Sequence, residues 1–133
     1  MNVIGVGVDL VDLERVARLL SHKGEHAMQK FFTENERAYL ATRPDPTGHV
    51  GARIAAKEAV YKALQSLPGA RSVGWRDIEV TRDDDGRPAI RLHGVAARLA
   101  EEHGGLVVQV SLTHSATSAG AIAMVGVVSR ASP

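Results

Sequence analysis

Three charged residues in this sequence have the types and spacing that phosphate chemistry needs. Glu58 and Lys62 are four residues apart in an alanine-rich segment, so their side chains share one face if that segment is helical. Asp9 stands at the end of an apolar, β-branched segment, before a predicted helix start. Mg2+ needs only one or two protein carboxylates, because water and substrate phosphates complete its shell. Asp9 and Glu58 are therefore a candidate Mg2+ site, and Lys62 would face the same phosphates.

Each of these residues also fits an ordinary structural role. Asp9 could cap a helix or stabilise a turn. A Glu58–Lys62 pair on an exposed helix contributes roughly a few tenths of a kcal/mol and needs no ligand. Arg53 and Lys57 form a second pair four residues apart on a neighbouring stripe. The residues alone leave both interpretations open.

His114 is a further candidate because it follows Ser-Leu-Thr at a strand end, among hydroxyl donors. A single histidine at a turn is usually structural or exposed to solvent. The remaining histidines show no spacing that indicates a shared metal site.

Several function classes are disfavoured by what the sequence lacks. With no cysteine, it has no disulfide framework, thiolate metal site or cysteine nucleophile. Gly5 and Gly7 are followed by Leu10 where the dinucleotide-binding fingerprint has its third glycine. No G-x-S-x-G motif surrounds Ser111 or Ser115, so a hydrolase triad has no support. The formal net charge of +1 argues against nucleic-acid binding through bulk positive charge.

The composition predicts one domain over residues 1–133. Hydrophobic residues make up 44% and charged residues 23% of the chain, which is typical of a globular domain. The sequence has no run of 18 apolar residues and no signal-peptide pattern at its start, so neither a membrane span nor secretion is expected. The expected location is the cytoplasm.

The first half of the chain predicts one strand followed by helices. The apolar segment 2–10, broken by two glycines, predicts a buried strand that another backbone approaches closely. Asp12 predicts the N-cap of a first helix that ends at Gly24. Thr33 and Glu36 have the spacing of a capping box that opens a second helix.

The longest helical signal covers residues 49–67 and predicts a central helix that carries Glu58 and Lys62. The second half predicts a short helix and four strands, at 77–82, 88–93, 106–113 and 119–128. Helices in the first half and strands in the second favour an α+β fold with an antiparallel sheet over alternating βαβ units.

Three segments, in this order, resemble the holo-acyl-carrier-protein synthases, the small single-unit 4'-phosphopantetheinyl transferases. They are VGVDLV at 6–11, RIAAKEAVYKA at 53–63 and VSLTH at 110–114. The resemblance extends from about residue 4 to residue 125. It implies the 4'-phosphopantetheinyl transferase fold, α+β with an antiparallel sheet packed with a long central helix.

The resemblance also implies an activity and a site. The expected reaction moves 4'-phosphopantetheine from coenzyme A to a serine of an apo acyl carrier protein and releases adenosine 3',5'-bisphosphate. Asp9 and Glu58 would be the Mg2+ carboxylates, and with Lys62, which would contact the phosphates near the leaving group, they form the implied catalytic set.

The resemblance implies two binding groups as well. Four residues would contact coenzyme A: Arg53, Lys57, Lys62 and His114. Arg15 and Arg18, on the first helix, would contact the acidic carrier protein. Residues 41–51 lack the basic side chains expected near the coenzyme A 3'-phosphate, which leaves Arg43 and Arg53 as candidates.

Small members of this family are usually homotrimers with the site between subunits, so a homotrimer is expected. Two other functions stay open: a non-catalytic trimeric module that binds coenzyme A or a carrier protein, and a small α+β assembly domain in which Glu58 and Lys62 are a surface pair. The paired carboxylates favour the enzyme, because a pure binder has no need of them. Carriers of fatty-acid, polyketide and peptide synthesis share an acidic surface and are not distinguished.

Overall fold

The computed structural model describes residues 1–128. Residues 129–133, which the predicted domain includes, lie outside this range. The secondary-structure elements are β1 (Asn2–Asp12), α1 (Leu13–Phe31), α2 (Glu34–Ala41), α3 (Thr47–Leu64), β2 (Ile78–Arg82), β3 (Pro88–Leu92), α4 (Gly94–Glu102), β4 (Leu106–His114) and β5 (Ser118–Val127). Short 3-10 turns at Ala70–Ser72 and Trp75–Asp77 lead into β2. The predicted α+β class is confirmed.

The strands form two antiparallel sheets. The larger sheet has the order β1-β5-β4, and β2 and β3 form a separate hairpin. The central strand β5 aligns Ala121 with Asp9 on one side and with Leu112 on the other. Helix α3 covers this inner face of the larger sheet, with Ala55, Ala59 and Ala63 fully buried. The sequence predicted the antiparallel pairing but not the division into two sheets.

Helix α3 and strand β1 lie unusually close together because both carry small residues there. A Cβ atom on Gly5 would lie 1.8 Å from the carbonyl oxygen of Ala63, and one on Gly7 would lie 1.9 Å from that of Ala59. No side chain fits in such a space. The close backbone approach predicted from the two glycines is confirmed.

Helix α1 continues past the predicted end at Gly24. The expectation was a left-handed glycine C-cap, but Gly24 has no positive φ. The break falls instead at Lys23, with φ −142° and ψ 33°, and the helix resumes to Phe31. The later turns pack because Ala27 is buried and the Phe31 ring meets Trp75 at 4.7 Å.

The predicted caps of the first two helices are present, and α3 differs slightly from its predicted bounds. The Asp12 carboxylate accepts a hydrogen bond from the backbone N–H of Glu14, and Thr33 and Glu36 form a reciprocal capping box. Helix α3 ends at Leu64 rather than at residue 67, in keeping with the bias against helical conformation in the residue before Pro68. Among residues 1–128, no helix combines the length and the apolar character needed to cross a bilayer.

Candidate active site

Asp9, Glu58 and Lys62 come together where β1 passes over α3. The Lys62 ammonium donates hydrogen bonds to the Asp9 carboxylate at 3.2 Å and to the backbone carbonyl of Val8 at 3.0 Å. Glu58 lies one turn earlier on the same face of α3. These residues are 49 or more positions from Asp9 in the sequence, and the glycine contacts of β1 hold them against it.

The two carboxylates influence each other. Burial raises the pKa of Glu58, the negative charge of Asp9 raises it further, and the positive charge of Lys62 acts in the opposite direction. A shift caused by a like charge means that the second carboxylate is costly to ionise without a compensating cation. The pair therefore has the charge and the oxygen donors to hold a divalent cation.

Glu58 separates two cavities. The larger, of about 720 Å³, is lined by Asp9 and Glu58 and also by Arg15 and Arg18 of α1. The smaller, of about 240 Å³, has a mainly apolar wall that includes Trp75. The structure thus brings the predicted carrier-binding arginines to the same cavity as the carboxylates.

Lys57 points away from the carboxylates into the protein interior. It is 1% exposed, and its ammonium donates to the Glu36 carboxylate at 2.7 Å, the Trp75 carbonyl at 2.9 Å and the Ile78 carbonyl at 2.5 Å. All three N–H bonds are thereby used by protein acceptors. The contact with coenzyme A that the resemblance implies for Lys57 stays a prediction, and it would require one of these acceptors to be given up.

The Lys57–Glu36 ion pair closes the free edge of β2. Lys57 binds the Ile78 carbonyl, and the second carboxylate oxygen of Glu36 accepts from the backbone N–H of Val80 at 3.0 Å. Strand β3 pairs with the other edge. The ion pair takes the place of a neighbouring strand and joins α2, α3 and β2.

Arg53 packs against the aromatic ring of Tyr39 together with three other side chains. We call this group the Tyr39 cluster; it consists of Tyr39, Arg43, His49, Arg53 and Arg82. The guanidinium carbons of the three arginines lie 4.7, 4.2 and 4.8 Å from the ring centroid of Tyr39, in sequence order. The His49 ring meets the Tyr39 ring edge-on at 6.0 Å. The cluster lies outside the set of residues that line the larger cavity.

His114 is exposed at the end of β4, on the same inner row as Ala119. Its charge is one of several that lower the pKa of His49, so it lies within electrostatic reach of the Tyr39 cluster. The structure therefore sorts the predicted residues into two groups. Asp9, Glu58 and Lys62 lie together near Arg15 and Arg18 of α1. Arg53 is part of the Tyr39 cluster, and His114 lies close to it.

Sequence reasoning missed Arg82, Tyr39 and His49 as members of a site, and it assigned Glu36 only to the capping box. Arg82 is the last residue of β2 and lies 43 positions after Tyr39, so no local pattern connects the two. One signal was available in the sequence. Residues 37–53 contain three arginines and only one acidic residue, Asp45, so this segment has an excess of positive charge.

Comparison with known proteins gives a consistent result. Residues 5–116 match the sequence model of the 4'-phosphopantetheinyl transferase superfamily. The chain is 43% identical over 102 residues to the holo-[acyl-carrier-protein] synthase of Rhodopirellula baltica, covering 77% of this chain and 80% of the relative.

Solved structures are similar over nearly the full length. The holo-[acyl-carrier-protein] synthase of Neisseria meningitidis superimposes with a TM-score of 0.83 at 26% identity and covers 93% of this chain and 98% of its own. An ACPS–CoA complex from Chronobacterium ammoniagenes gives a TM-score of 0.79 at 35% identity, with coverages of 94% and 98%.

Proposed function

Because the chain belongs to the 4'-phosphopantetheinyl transferase superfamily, we propose that it transfers 4'-phosphopantetheine from coenzyme A to a serine of an apo acyl carrier protein. The products are the holo carrier protein and adenosine 3',5'-bisphosphate. The observation that carries the proposal is the convergence of Asp9, Glu58 and Lys62 beside a cavity lined by Arg15 and Arg18.

The proposal includes Mg2+ as cofactor, and the residues present fit this ion. Residues 1–128 contain no group of three or more His, Cys, Asp or Glu side chains placed to hold a metal. A site with two carboxylates suits Mg2+, which takes its other ligands from water and phosphates, better than Zn2+, which prefers a closed set of nitrogen and sulfur ligands. Asp9 and Glu58 would hold the ion, and when bound it would neutralise charge on the pyrophosphate.

The side chains of this protein would then position and neutralise the phosphates. Lys62 lies on the same face as Glu58, and its ammonium would bind a phosphate oxygen near the bond that breaks. The serine oxygen forms the new bond to phosphorus, and the bond to the leaving adenosine 3',5'-bisphosphate breaks. The proton of the serine hydroxyl would pass to a carboxylate of the site or to water. The Asp9–Lys62 contact holds the ammonium beside β1, next to Asp9, which lines the larger cavity.

We propose that Arg15 and Arg18 receive an acidic carrier protein. Both are exposed on α1 and line the cavity that contains Asp9. Arg18 is also 3.4 Å from the Glu14 carboxylate, a weak exposed pair that a carrier carboxylate could replace. Charged contacts of this kind raise the association rate and depend on salt.

The proposal also includes a homotrimer with sites between subunits. It is supported by the outer face of the larger sheet, where Val6, Val8 and Leu10 of β1 are 60 to 74% exposed and Ile122 of β5 is 50% exposed. An apolar stripe of this kind on an edge strand typically marks a protein interface. A cytoplasmic location also stays part of the proposal.

The direct test is transfer to apo carrier proteins. The protein is incubated with coenzyme A, Mg2+ and a panel of apo carriers from fatty-acid, polyketide and peptide synthesis. The mass of each carrier is then measured by mass spectrometry. We expect a gain of one phosphopantetheine on at least one carrier. No gain on any carrier that an established transferase modifies in parallel would refute the proposal, and coenzyme A binding without transfer would indicate the non-catalytic module.

A substitution of Glu58 tests its proposed role as a metal ligand. Glu58→Gln removes one metal ligand while it keeps the shape of the side chain, so we expect turnover to fall by about two orders of magnitude or more at limiting Mg2+. Glu102→Gln, on the exposed end of α4, is the matched control and should behave like the parent. Equal turnover of the two variants at limiting Mg2+ would exclude Glu58 as a ligand.

A further inference from the structure

Glu79 of β2 is a buried carboxylate that the proposed mechanism does not use. It is 1% exposed. One of its carboxylate oxygens accepts a hydrogen bond from the Thr33 hydroxyl at 2.5 Å, and the other lies 3.2 Å from Nε2 of His93. Thr33 caps α2, and His93 directly precedes α4. We call Thr33, Glu79 and His93 the carboxylate junction, because Glu79 joins β2 to the starts of two helices.

The charge of Glu79 has one close partner. Within residues 1–128, His93 is the only basic side chain in salt-bridge contact with it, since Lys57 is bonded to Glu36 instead. Arg91 lies opposite Glu79 on β3, but its side chain is exposed to solvent. A buried carboxylate without a cation is costly. The charge on His93 therefore decides how well the carboxylate junction is compensated.

The hydrogen bonds of the carboxylate junction keep Glu79 ionised. Burial raises the pKa of Glu79, but hydrogen bonds from Thr33 and His93, the charge of His93 and a hydrogen bond from Asn35 outweigh burial, so the pKa lies below its usual value. Histidine is the side chain whose charge ordinarily changes between about pH 5 and 8. Across that range Glu79 stays negative, and His93 is the variable partner.

The backbone holds His93 against the 3-10 turn that precedes β2. The His93 N–H donates to the Asp77 carbonyl at 2.8 Å, and the Asp77 carboxylate accepts from the N–H of Gly74 at 3.0 Å. The next residue, Gly94, has φ +52°, and a Cβ atom there would lie 2.4 Å from Oδ1 of Asp77. No side chain fits at this position. The ring of His93 is thus placed beside Glu79 by backbone with little freedom to shift.

The carboxylate junction borders an aromatic wall of the candidate active site. This wall consists of Phe31, which lines the larger cavity, and Trp75, which lines the smaller one, with ring centroids 4.7 Å apart. Phe31 is the last residue of α1 and lies two positions before Thr33. Trp75 belongs to the same 3-10 turn as Asp77. Both halves of the wall are therefore attached to the carboxylate junction.

We propose that the carboxylate junction is a pH-sensitive switch that fixes the Phe31–Trp75 wall when His93 is protonated. An ion pair adds charge attraction to the hydrogen bond between His93 and Glu79, whereas a neutral imidazole leaves the hydrogen bond alone. Proton binding at one half-exposed histidine thereby controls how firmly the end of α1 is held against the turn before β2.

The pH dependence of the switch has a defined sign. Because the folded-state pKa of Glu79 is lowered, its stabilising contribution is present above the usual carboxylate range and is lost as the pH falls through the folded value. The contribution of a histidine proton is present at low pH and is lost as the pH rises through the range of histidines. The wall is therefore held most firmly at about pH 5 to 6 and less firmly towards about pH 8.

The fluorescence of Trp75 tests the switch, because it is the only tryptophan of the chain. Quenching by acrylamide is measured on the full chain from about pH 8 to about pH 5.5. His93→Gln keeps a side-chain N–H for Glu79 and gains no charge. His103→Gln, at the other end of α4, removes an exposed histidine bonded to the Leu99 carbonyl and is the matched control.

We expect the quenching constant to fall with pH in the parent protein and in His103→Gln, but to stay constant in His93→Gln. His93→Lys carries a positive charge throughout the range and should give the low quenching constant even at about pH 8. The same titration curve in the parent and in His93→Gln would overturn the inference.

Denaturant unfolding measures the coupling between the two side chains. From about pH 8 to about pH 5.5, the folded-to-unfolded ratio of the parent should rise about fivefold relative to that of His93→Gln. In Glu79→Gln the acceptor has no charge, so adding His93→Gln should then cause no pH-dependent change. If Glu79→Gln does not fold, the comparison of His93→Gln with the parent decides, because its side chain is half exposed. A constant ratio would contradict the switch.

The effect on turnover rests on the proposed function. The kcat/KM of carrier modification, parent over His93→Gln, should rise as the pH falls, and a constant ratio would show that the switch does not serve the site. The two proposals fail separately. If no carrier is modified but the fluorescence curves differ, the transfer function is wrong and the switch stands. If carriers are modified and the fluorescence curves coincide, the switch is wrong and the transfer function stands.

Discussion

At the scale of single residues, the charges of two carboxylates and one ammonium determine the properties of the site. Asp9 is mostly buried and Lys62 is half exposed, with side-chain exposures of 18% and 50%. Burial raises the pKa of Glu58, and the negative charge of Asp9 raises it further. In the metal-free protein, ionised Glu58 opposes folding at neutral pH, because its folded-state pKa lies above the unfolded value.

Removing the charge of Asp9 should lower the pKa of Glu58. In Asp9→Asn the repulsion disappears and Lys62 becomes free to pair with Glu58, so both changes favour the ionised form. A carbon-13 NMR titration of the Glu58 carboxyl group without metal measures the shift directly. Asp84→Asn, in the exposed β2–β3 turn, should leave the titration unchanged, and an unchanged curve for Asp9→Asn would show that burial alone sets the value.

At the scale of elements, the contact between β1 and α3 decides whether the charged residues meet. The space between their backbones has no room for a side chain at Gly5 or Gly7. The Lys57–Glu36 pair fixes the opposite side of α3 to α2 and β2. The helix that carries Glu58 and Lys62 is therefore held from two directions.

Gly7→Ala should separate these elements. Its Cβ would lie 1.9 Å from the Ala59 carbonyl oxygen, which is backbone, so α3 or β1 must move. We expect a loss of about 1–3 kcal/mol or more of unfolding free energy, as for other overpacked cores, with loss of turnover even in the folded fraction. Denaturant unfolding measures the first effect. Gly48→Ala meets nothing within 4 Å near the start of α3 and should be neutral or slightly stabilising.

The buried ion pair can be tested by a double-mutant cycle. Lys57→Met leaves the Glu36 carboxylate buried without its cation, and we expect it to cost about 3–5 kcal/mol of unfolding free energy. Adding Glu36→Gln removes the uncompensated charge, so the double variant should be more stable than Lys57→Met alone. Additive losses in denaturant unfolding would mean that the two side chains contribute independently.

At the scale of the whole molecule, the larger sheet has two different halves on its outer face. Val6, Val8 and Leu10 of β1 are exposed, while the residues across the sheet on β4 are polar. They are Gln109, Ser111 and Thr113. The apolar half fits contact with another copy of the chain, and the polar half fits solvent.

A charge in the apolar half should dissociate the proposed trimer. Val8→Glu places a carboxylate in the middle of the stripe, between Val6 and Leu10, where desolvation on assembly would be costly. Sedimentation analysis should then give monomers where the parent protein gives trimers. Ser111→Glu adds the same charge in the polar half of the same row and should leave assembly unchanged. A monomeric parent protein would contradict the trimer itself.

Much of this arrangement could be predicted from the sequence because the signals are local. The capping box of Thr33 and Glu36, the helix spacing of Glu58 and Lys62, and the close approach at Gly5 and Gly7 each depend on a few neighbouring residues. Features that depend on distant residues could not be predicted in this way.

The buried position of Lys57 is one such feature. It depends on Glu36 and on two carbonyls of the segment that leads into β2, and a pattern of charges four residues apart looks the same on a surface helix. The continuation of α1 past Gly24 likewise depends on packing of Phe31 against Trp75. Tertiary contacts overrode the local signal in both cases.

The central position of β5 has a consequence for how the protein is made. Every predicted site residue precedes Ser118, yet β1 and β4 are joined only through β5. A growing chain that has reached residue 117 on the ribosome already contains all of those residues and still has no larger sheet on which to place Asp9. The larger sheet can form only after β5 has emerged, when it pairs with β1.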